Sequence, residues 1–225
     1  MYSRLPLVIA SSLLLAACTP SGQAPQGRDS AAAPSSTTQP ASTATARHTS
    51  TPRAGTKRFR SKRLGFYIDY PEGMASSVRF DSHYLTNDNW KVYAKPKSPG
   101  FPVLMLTLPG SNEVTAAELR IGISSDDKEV RQCKQPGNAA QPSNQGKADI
   151  NGTDFVTWHA HDAGMSHYLK VRSYRTVHEH YCYAIDLVVT GTNPDVYQPP
   201  KTPPFSQKEA FAKLHKALEG FHFTR

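Results

Sequence analysis

The chain of 225 residues carries 26 Lys+Arg against 18 Asp+Glu, a formal charge of +8, with 9 His, 3 Cys and 18 Pro. That length allows one or two domains and a sizeable core. Low Gly, absent heptads and few Cys exclude collagen-like, coiled-coil and disulfide-dense classes, and the one long apolar stretch, at the N-terminus, is too short for a stable membrane span.

The leader comes first. Arg4 supplies a positive charge, Leu5 to Ala17 is apolar or small, and Cys18 follows at once. A charged start, a short apolar stretch and small residues before the cut describe a secretory signal peptide over residues 1–17. The run Leu15-Ala16-Ala17-Cys18 resembles the lipobox of bacterial lipoproteins. The resemblance implies that Cys18 becomes the first mature residue and carries the acyl chains. Two or more chains would hold the protein stably on a membrane, where one chain anchors only marginally. Thr19 stands after the cysteine, where an Asp would imply retention at the inner membrane, so the resemblance implies the outer membrane with the domain facing the periplasm.

Residues 18–57 are expected to form the lipidated cysteine and a disordered Ala/Ser/Thr/Pro tether. Beyond Cys18 this stretch has no aromatic residue and no Val, Ile, Leu or Met, so it cannot bury enough apolar area to offset its ordering entropy. Its relaxed span is on the order of 35 Å. Arg53, Lys57, Arg58, Arg60, Lys62 and Arg63 then form a basic run. Export separates the chain from nucleic acid. The basic run therefore points either to anionic headgroups and acidic wall polymers or to a solvated edge-strand flank.

Residues 58–225 read as one α+β domain: an antiparallel sheet with a C-terminal amphipathic helix on one face. Phe66, Ile68 and Tyr70 alternate with polar neighbours before the Pro71-Glu72-Gly73 turn. Val103 to Leu108 is a continuous apolar run, and Leu119, Ile121 and Ile123 alternate again. Asp126-Asp127 begin a charged loop, and Gln135 to Gly146 is polar and reads as a loop. Phe155 to His161, Met165 to Val177 and Tyr181 to Thr190 predict three successive strands. Asn151-Gly152 and His178-Glu179-His180 read as turns. Asn193 to Phe205, with Pro194, Pro199, Pro200, Pro203 and Pro204, reads as a stiff connector or a docking edge. Ser206 and Glu209 make a capping box. Phe211, Leu214, Leu218 and Phe221 follow at helical spacing, and Gly220 is placed to end the helix.

The run Leu64-Gly65-Phe66-Tyr67-Ile68-Asp69-Tyr70-Pro71-Glu72-Gly73, with Phe221-His222-Phe223 at the other end, resembles PsbP-like domains, the family that includes the bacterial lipoproteins DcrB and LpqN. The resemblance implies an antiparallel sheet flanked by helices, a closing strand after the last helix, and a binding or scaffolding role with no shared catalytic residues.

Cys133 and Cys182 remain once Cys18 is set aside, and in an oxidising compartment they are expected to pair. His159, His161 and His167 bracket Asp162-Ala163-Gly164 and form the sharpest chemical cluster. A three-residue hairpin loop with Gly164 in the left-handed position would gather all three rings on one face as a zinc or copper site. A two-residue turn would send His167 to the face of Val156, Trp158, Leu169 and Val171, leaving His159 and His161 as solvent-side residues. Turn chemistry favours the first register and hydrophobic consistency the second. Nucleophile-elbow, P-loop and dinucleotide motifs are absent, so no catalytic residue is assigned and no cofactor is expected beyond the lipid and that possible metal. The functional expectation is a lipid-anchored, non-catalytic binding or scaffolding domain with an envelope protein or cell-wall partner. The alternatives are an inhibitor or immunity lipoprotein that blocks a wall hydrolase, with the Pro-rich segment as its plug, and a metal-binding periplasmic protein.

Overall fold

The computed structural model describes residues 52, 54–137 and 142–224. The leader, Cys18, Arg53 and the expected tether before residue 52 lie outside the described residues.

Among the described residues the chain forms two antiparallel sheets. β1 (Thr56–Ser61), β2 (Phe66–Pro71) and β10 (Phe221–Phe223) make a small sheet in the order β1-β2-β10. β3 (Ala75–Ser77), β4 (Phe101–Thr107), β5 (Thr115–Ser124), β6 (Ser143–Ile150), β7 (Thr153–Gly164), β8 (His167–His178) and β9 (Tyr181–Thr192) make a large sheet in the order β3-β4-β5-β9-β8-β7-β6. A short helix α1 (Asp127–Arg131) follows β5, and α2 (Gln207–Leu218) precedes β10. This is the expected α+β class, with the closing Phe-His-Phe strand after the last helix.

The main core lies on one face of the large sheet. Leu119, Ile121 and Ile123 of β5 and Tyr183, Ile185 and Leu187 of β9 pack there with Phe66 and Ile68 of the small sheet and Phe211, Leu214 and Leu218 of α2. Ser206 caps α2 by accepting from Glu209 N at 3.1 Å. Glu209 pairs with Lys213 at 2.7 Å, and its carboxylate also accepts from the Ser206 main-chain N–H, the reciprocal half of the capping box; Lys213 first and that N–H after it hold the Glu209 pKa below its ordinary 4.5. Phe221 leaves the helix and begins β10. Gly220 is required by close approach rather than by a left-handed cap: a Cβ there would lie 2.0 Å from Asp69 O, and Gly220 O accepts from Asp69 N.

The other face is covered by an irregular segment, residues 78–100, that strand patterning leaves unmarked. Trp90 packs with Cys133, Cys182 and Ala184, while Val92 packs with Leu169, Val171 and Val188. A Cβ on Gly122 would lie 1.6 Å from Trp90 O, so the glycine in β5 is what lets this backbone lie against the strand. Buried charges of the sheet then grip the segment. Asp186 is paired with Arg175 at 2.8 Å and accepts from Ser173 Oγ and Val92 N. Glu118 is paired with Arg120 at 2.7 Å and with His83 at 2.8 Å, and Arg120 donates to the carbonyls of Asp81 and Asn87. These bonds give irregular backbone the partners that a neighbouring strand would otherwise supply.

Three sequence expectations change. The loop expected to run to Gly146 is already strand from Ser143, an edge strand exposed over most of its length. Asp127 opens a helical turn capped by Asp126 rather than a loop. The strand expected from Met165 begins at His167. Cys133 and Cys182 are joined, as expected, with Cα atoms 5.5 Å apart across 49 residues.

Two outcomes follow from this packing. Replacing both cysteines by serine costs about 2–4 kcal/mol, because a long loop is released in the unfolded chain; urea unfolding of the variant beside the oxidised wild type measures it. Burial pushes the Glu118 carboxyl up, but His83 and Arg120 outweigh it and hold it below its ordinary 4.5. Its stabilising contribution is therefore full above that value and is lost as pH falls through the lowered folded value. Glu118→Gln destabilises the domain at neutral pH by roughly 3–5 kcal/mol, the cost of breaking a buried pair. It also flattens the acid limb of a stability-versus-pH curve.

Candidate functional site

The chemistry expected at the histidine hairpin depends on its register. Gly164 pairs with His167, Ala160 with Val171 and Trp158 with Ser173, so the loop has two residues, Met165 and Ser166. Both are left-handed, with φ of 48° and 65°. Such conformations cost L-residues about 1–2 kcal/mol each. The register that demands them buries Trp158, Ala160, Leu169 and Val171 together on one face, and full burial of a large apolar side chain is worth about 1.5–3 kcal/mol. Packing outweighs turn chemistry.

The three histidines therefore do not converge. His167 lies on the face opposite His159 and His161, stacked on Tyr84 at 4.4 Å and sharing a hydrogen bond with Thr192 Oγ1 at 3.1 Å. The geometry gathers no trio of His, Cys, Asp or Glu side chains into a metal site among the described residues.

His159 and His161 meet different neighbours. His159 sits directly across from Arg172, and His161 from Lys170. The four line one face of β7 and β8, and the first turns of α2 stand over them. A cleft of about 480 Å³ opens between these elements, lined by Ser143, His159, His161, Lys170, Arg172, Gln207, Lys208 and Phe211, with Ala160 and Val171 at its base. The Arg172 guanidinium lies over the Phe211 ring, 4.4 Å from its centre. The Asn144 side-chain amide donates to His159 Nδ1 at 3.1 Å, which leaves Nε2 as the protonated nitrogen of the neutral ring. Burial, with Arg172 second, holds the His159 pKa below its ordinary 6.5.

Among the described residues, every lining side chain that carries charge is a cation or a potential one, and no carboxylate lines the cleft. Elsewhere, Arg58, Lys91, Arg120, Arg175, Lys201, Lys213 and Lys216 each pair with an Asp or Glu. The arrangement can hold an anion. A pocket of about 330 Å³ on the opposite face differs on this point. There Lys91 and Ser98 satisfy Glu129, and Arg175 is bound to Asp186. Tyr93, at a φ of 60°, also lines that pocket. Its hydroxyl is buried without a partner, and burial, then Asp162 and Asp186, pushes its pKa up to about 12.

Sequence reasoning found His159 and His161 but not Lys170, Arg172, Lys208, Gln207 or Phe211. The two-residue register, carried through, would have set the two basic residues across from the histidines. Nothing local signals that α2 closes the cleft. The Pro-rich segment runs as a connector containing a short 3-10 turn, Pro194–Val196, and ends on buried Phe205.

No protein-family model and no curated protein matches the chain. Among solved structures, the chain is similar to cyanobacterial PsbP (CyanoP) from Synechocystis sp. PCC 6803, at 13% identity and a TM-score of 0.41 over 76% of this chain and 94% of that one. It is also similar to a protein of Bacteroides thetaiotaomicron, at 13% identity and a TM-score of 0.40 over 76% of this chain and 49% of that one.

Arg172→Gln tests the electrostatics of the cleft. Arg172 is the smaller of the two causes that depress His159, so its removal raises the His159 pKa part of the way back towards 6.5. A pH titration of the imidazole resonances by NMR reads the shift; an unmoved His159 would show that the two groups are not coupled.

Proposed function

We propose that the chain is a lipid-anchored outer-membrane protein, held through Cys18, whose folded domain is a non-catalytic binding module for an acidic envelope component. The observation that supports this reading is the carboxylate-free basic cleft between α2 and the β7–β8 hairpin. A site that works by proton transfer sets groups of opposed protonation against one another. This one sets like charges together, which favours capture of an anion over chemistry on it.

A second reading, an inhibitor that plugs a wall hydrolase, is favoured by the hairpin tip. Met165 is 81% exposed at its apex. Tyr84 is 58% exposed where it stacks on His167. Ser166 O accepts from Asn193 N at the start of the Pro-rich segment, where Val196 is also exposed. Strained backbone clusters at functional sites, and grouped exposed apolar side chains mark interaction surfaces.

The anchor and the cleft are tested separately. The intact protein fractionates with outer membranes and its N-terminal peptide has the mass of an acylated cysteine, whereas Cys18→Ala is recovered soluble. Poly-glutamate binds the full-length protein at low ionic strength, and Lys170→Glu with Arg172→Glu weakens it at least ten-fold. Unchanged binding in that variant would remove the cleft from the proposal, and a soluble, unmodified wild type would remove the anchor.

A further inference from the structure

Resting on that reading, we infer that the cleft is built for a phosphomonoester: a phosphate group with an organic portion attached. Three arguments converge on this ligand.

The first is charge. Lys170, Arg172 and Lys208 bring three permanent positive charges to one concavity, with His159 and His161 beside them. None of the three makes an ion pair with a carboxylate among the described residues. A single carboxylate neutralises one of these charges, whereas a phosphomonoester carries about −1.5 to −2 near neutral pH and offers three acceptor oxygens.

The second is geometry. The Arg172 guanidinium lies over the Phe211 ring, 4.4 Å from its centre. That contact limits where the fork can go and leaves its N–H groups for an oxyanion, the paired contact in which Arg exceeds Lys. Gln207 and Lys208 belong to the first turn of the twelve-residue helix α2, so the positive end of its dipole adds to the field of the side chains.

The third is size. About 480 Å³ is far more than a bare phosphate fills. The Phe211 ring gives the cleft an apolar wall next to its charges, suited to a carbon skeleton.

The groups facing His159 fix the pH behaviour. They are Arg172 and Lys170 from β8, Lys208 and Gln207 from α2, Ser143 and Asn144 from β6, and His161 on its own strand. Every titratable member of this set is basic. A bound dianion reverses the local potential and stabilises the protonated ring, which tightens binding as pH falls below neutrality, until the ester itself takes up a proton near its second pKa of about 6 and the gain is lost.

The same chemistry is offered by a soluble ester and by a lipid headgroup, and the test separates the sources. Full-length protein carrying Cys18→Ser, which purifies without acyl chains, is titrated calorimetrically with glycerol 3-phosphate. It is then tested for sedimentation with phosphatidic acid vesicles and with phosphatidylcholine vesicles. The expected result is saturable binding to glycerol 3-phosphate, to phosphatidic acid vesicles or to both, and none to phosphatidylcholine. Arg172→Gln weakens it at least ten-fold, while Lys213→Gln, on a lysine of α2 outside the cleft, leaves it unchanged. Binding to both probes assigns a soluble or a membrane source equally; binding to vesicles alone assigns the headgroup. Phosphate binding that Arg172→Gln does not weaken overturns the site. Poly-glutamate binding that depends on Arg172, with no binding to either phosphate probe, overturns the phosphomonoester and leaves the broader acidic-ligand reading standing. If poly-glutamate fails as well, both fall.

Discussion

The pairing register of β7 with β8 is the constraint on which the rest of the molecule turns. Because side chains alternate with a period of two, a slip of one residue would exchange the two faces of the hairpin. It would move Trp158, Leu169 and Val171 off the side where Val92 packs with Leu169 and Val171. It would also move Lys170 and Arg172 away from His159 and His161. The apolar set decides the outcome, and the basic set is placed as its consequence. The basic surface is thus the complement of a packing decision made on the other side of the same strands.

The two faces of the large sheet solve the covering problem differently. On one face a capped, amphipathic helix brings its own hydrogen bonds and asks only for apolar contact. On the other, residues 78–100 arrive as irregular backbone and need polar partners. The sheet supplies them from Glu118, Arg120, Asp186 and Arg175, all buried. Replacing such charges by apolar side chains in isolation can be neutral or stabilising. Here the carboxylate of Asp186 also satisfies a main-chain N–H, and Arg120 satisfies two carbonyls, so their removal would leave the covering segment unpartnered. Charge on this face is internal glue, and the charge left over for a ligand lies on the face that α2 only partly covers.

How far the sequence can be read follows from how local each cause is. Alternation marked β2, β5, β8 and β9, and the cap at Ser206 marked α2, because those signals are carried by neighbours in sequence. The first four residues of β6 read as loop because they belong to an exposed edge strand, with little apolar content and a bulge between Ser143 and Gly146. Residues 78–100 were passed over because their apolar members follow neither period and are ordered by contacts with distant strands. The hairpin was left between two registers because Gly164 argued for one loop length and the apolar pattern for another. The metal trio belonged to the first of these. The basic cleft belonged to the second, and completing it required knowing where α2 lands.

The absence of carboxylates from the cleft has a cause in the same periodicities. Asp162 is the neighbour of His161, but strand alternation sends it to the opposite face, where Leu169 is its cross-strand partner. Glu209 is the neighbour of Lys208, but on a helix adjacent residues point about 100° apart, and Glu209 is held by Lys213 one turn on. The two acids nearest in sequence are thus directed away by the geometry that brings the cations together. Salt damps the repulsion among Lys170, Arg172 and Lys208 fully only beyond its screening length, about 8 Å at physiological ionic strength. The hairpin tolerates that cost because the apolar packing beneath it is worth more. On the reading proposed above, a bound anion would remove that cost without moving a strand, so its affinity would not be diminished by rearrangement of the protein.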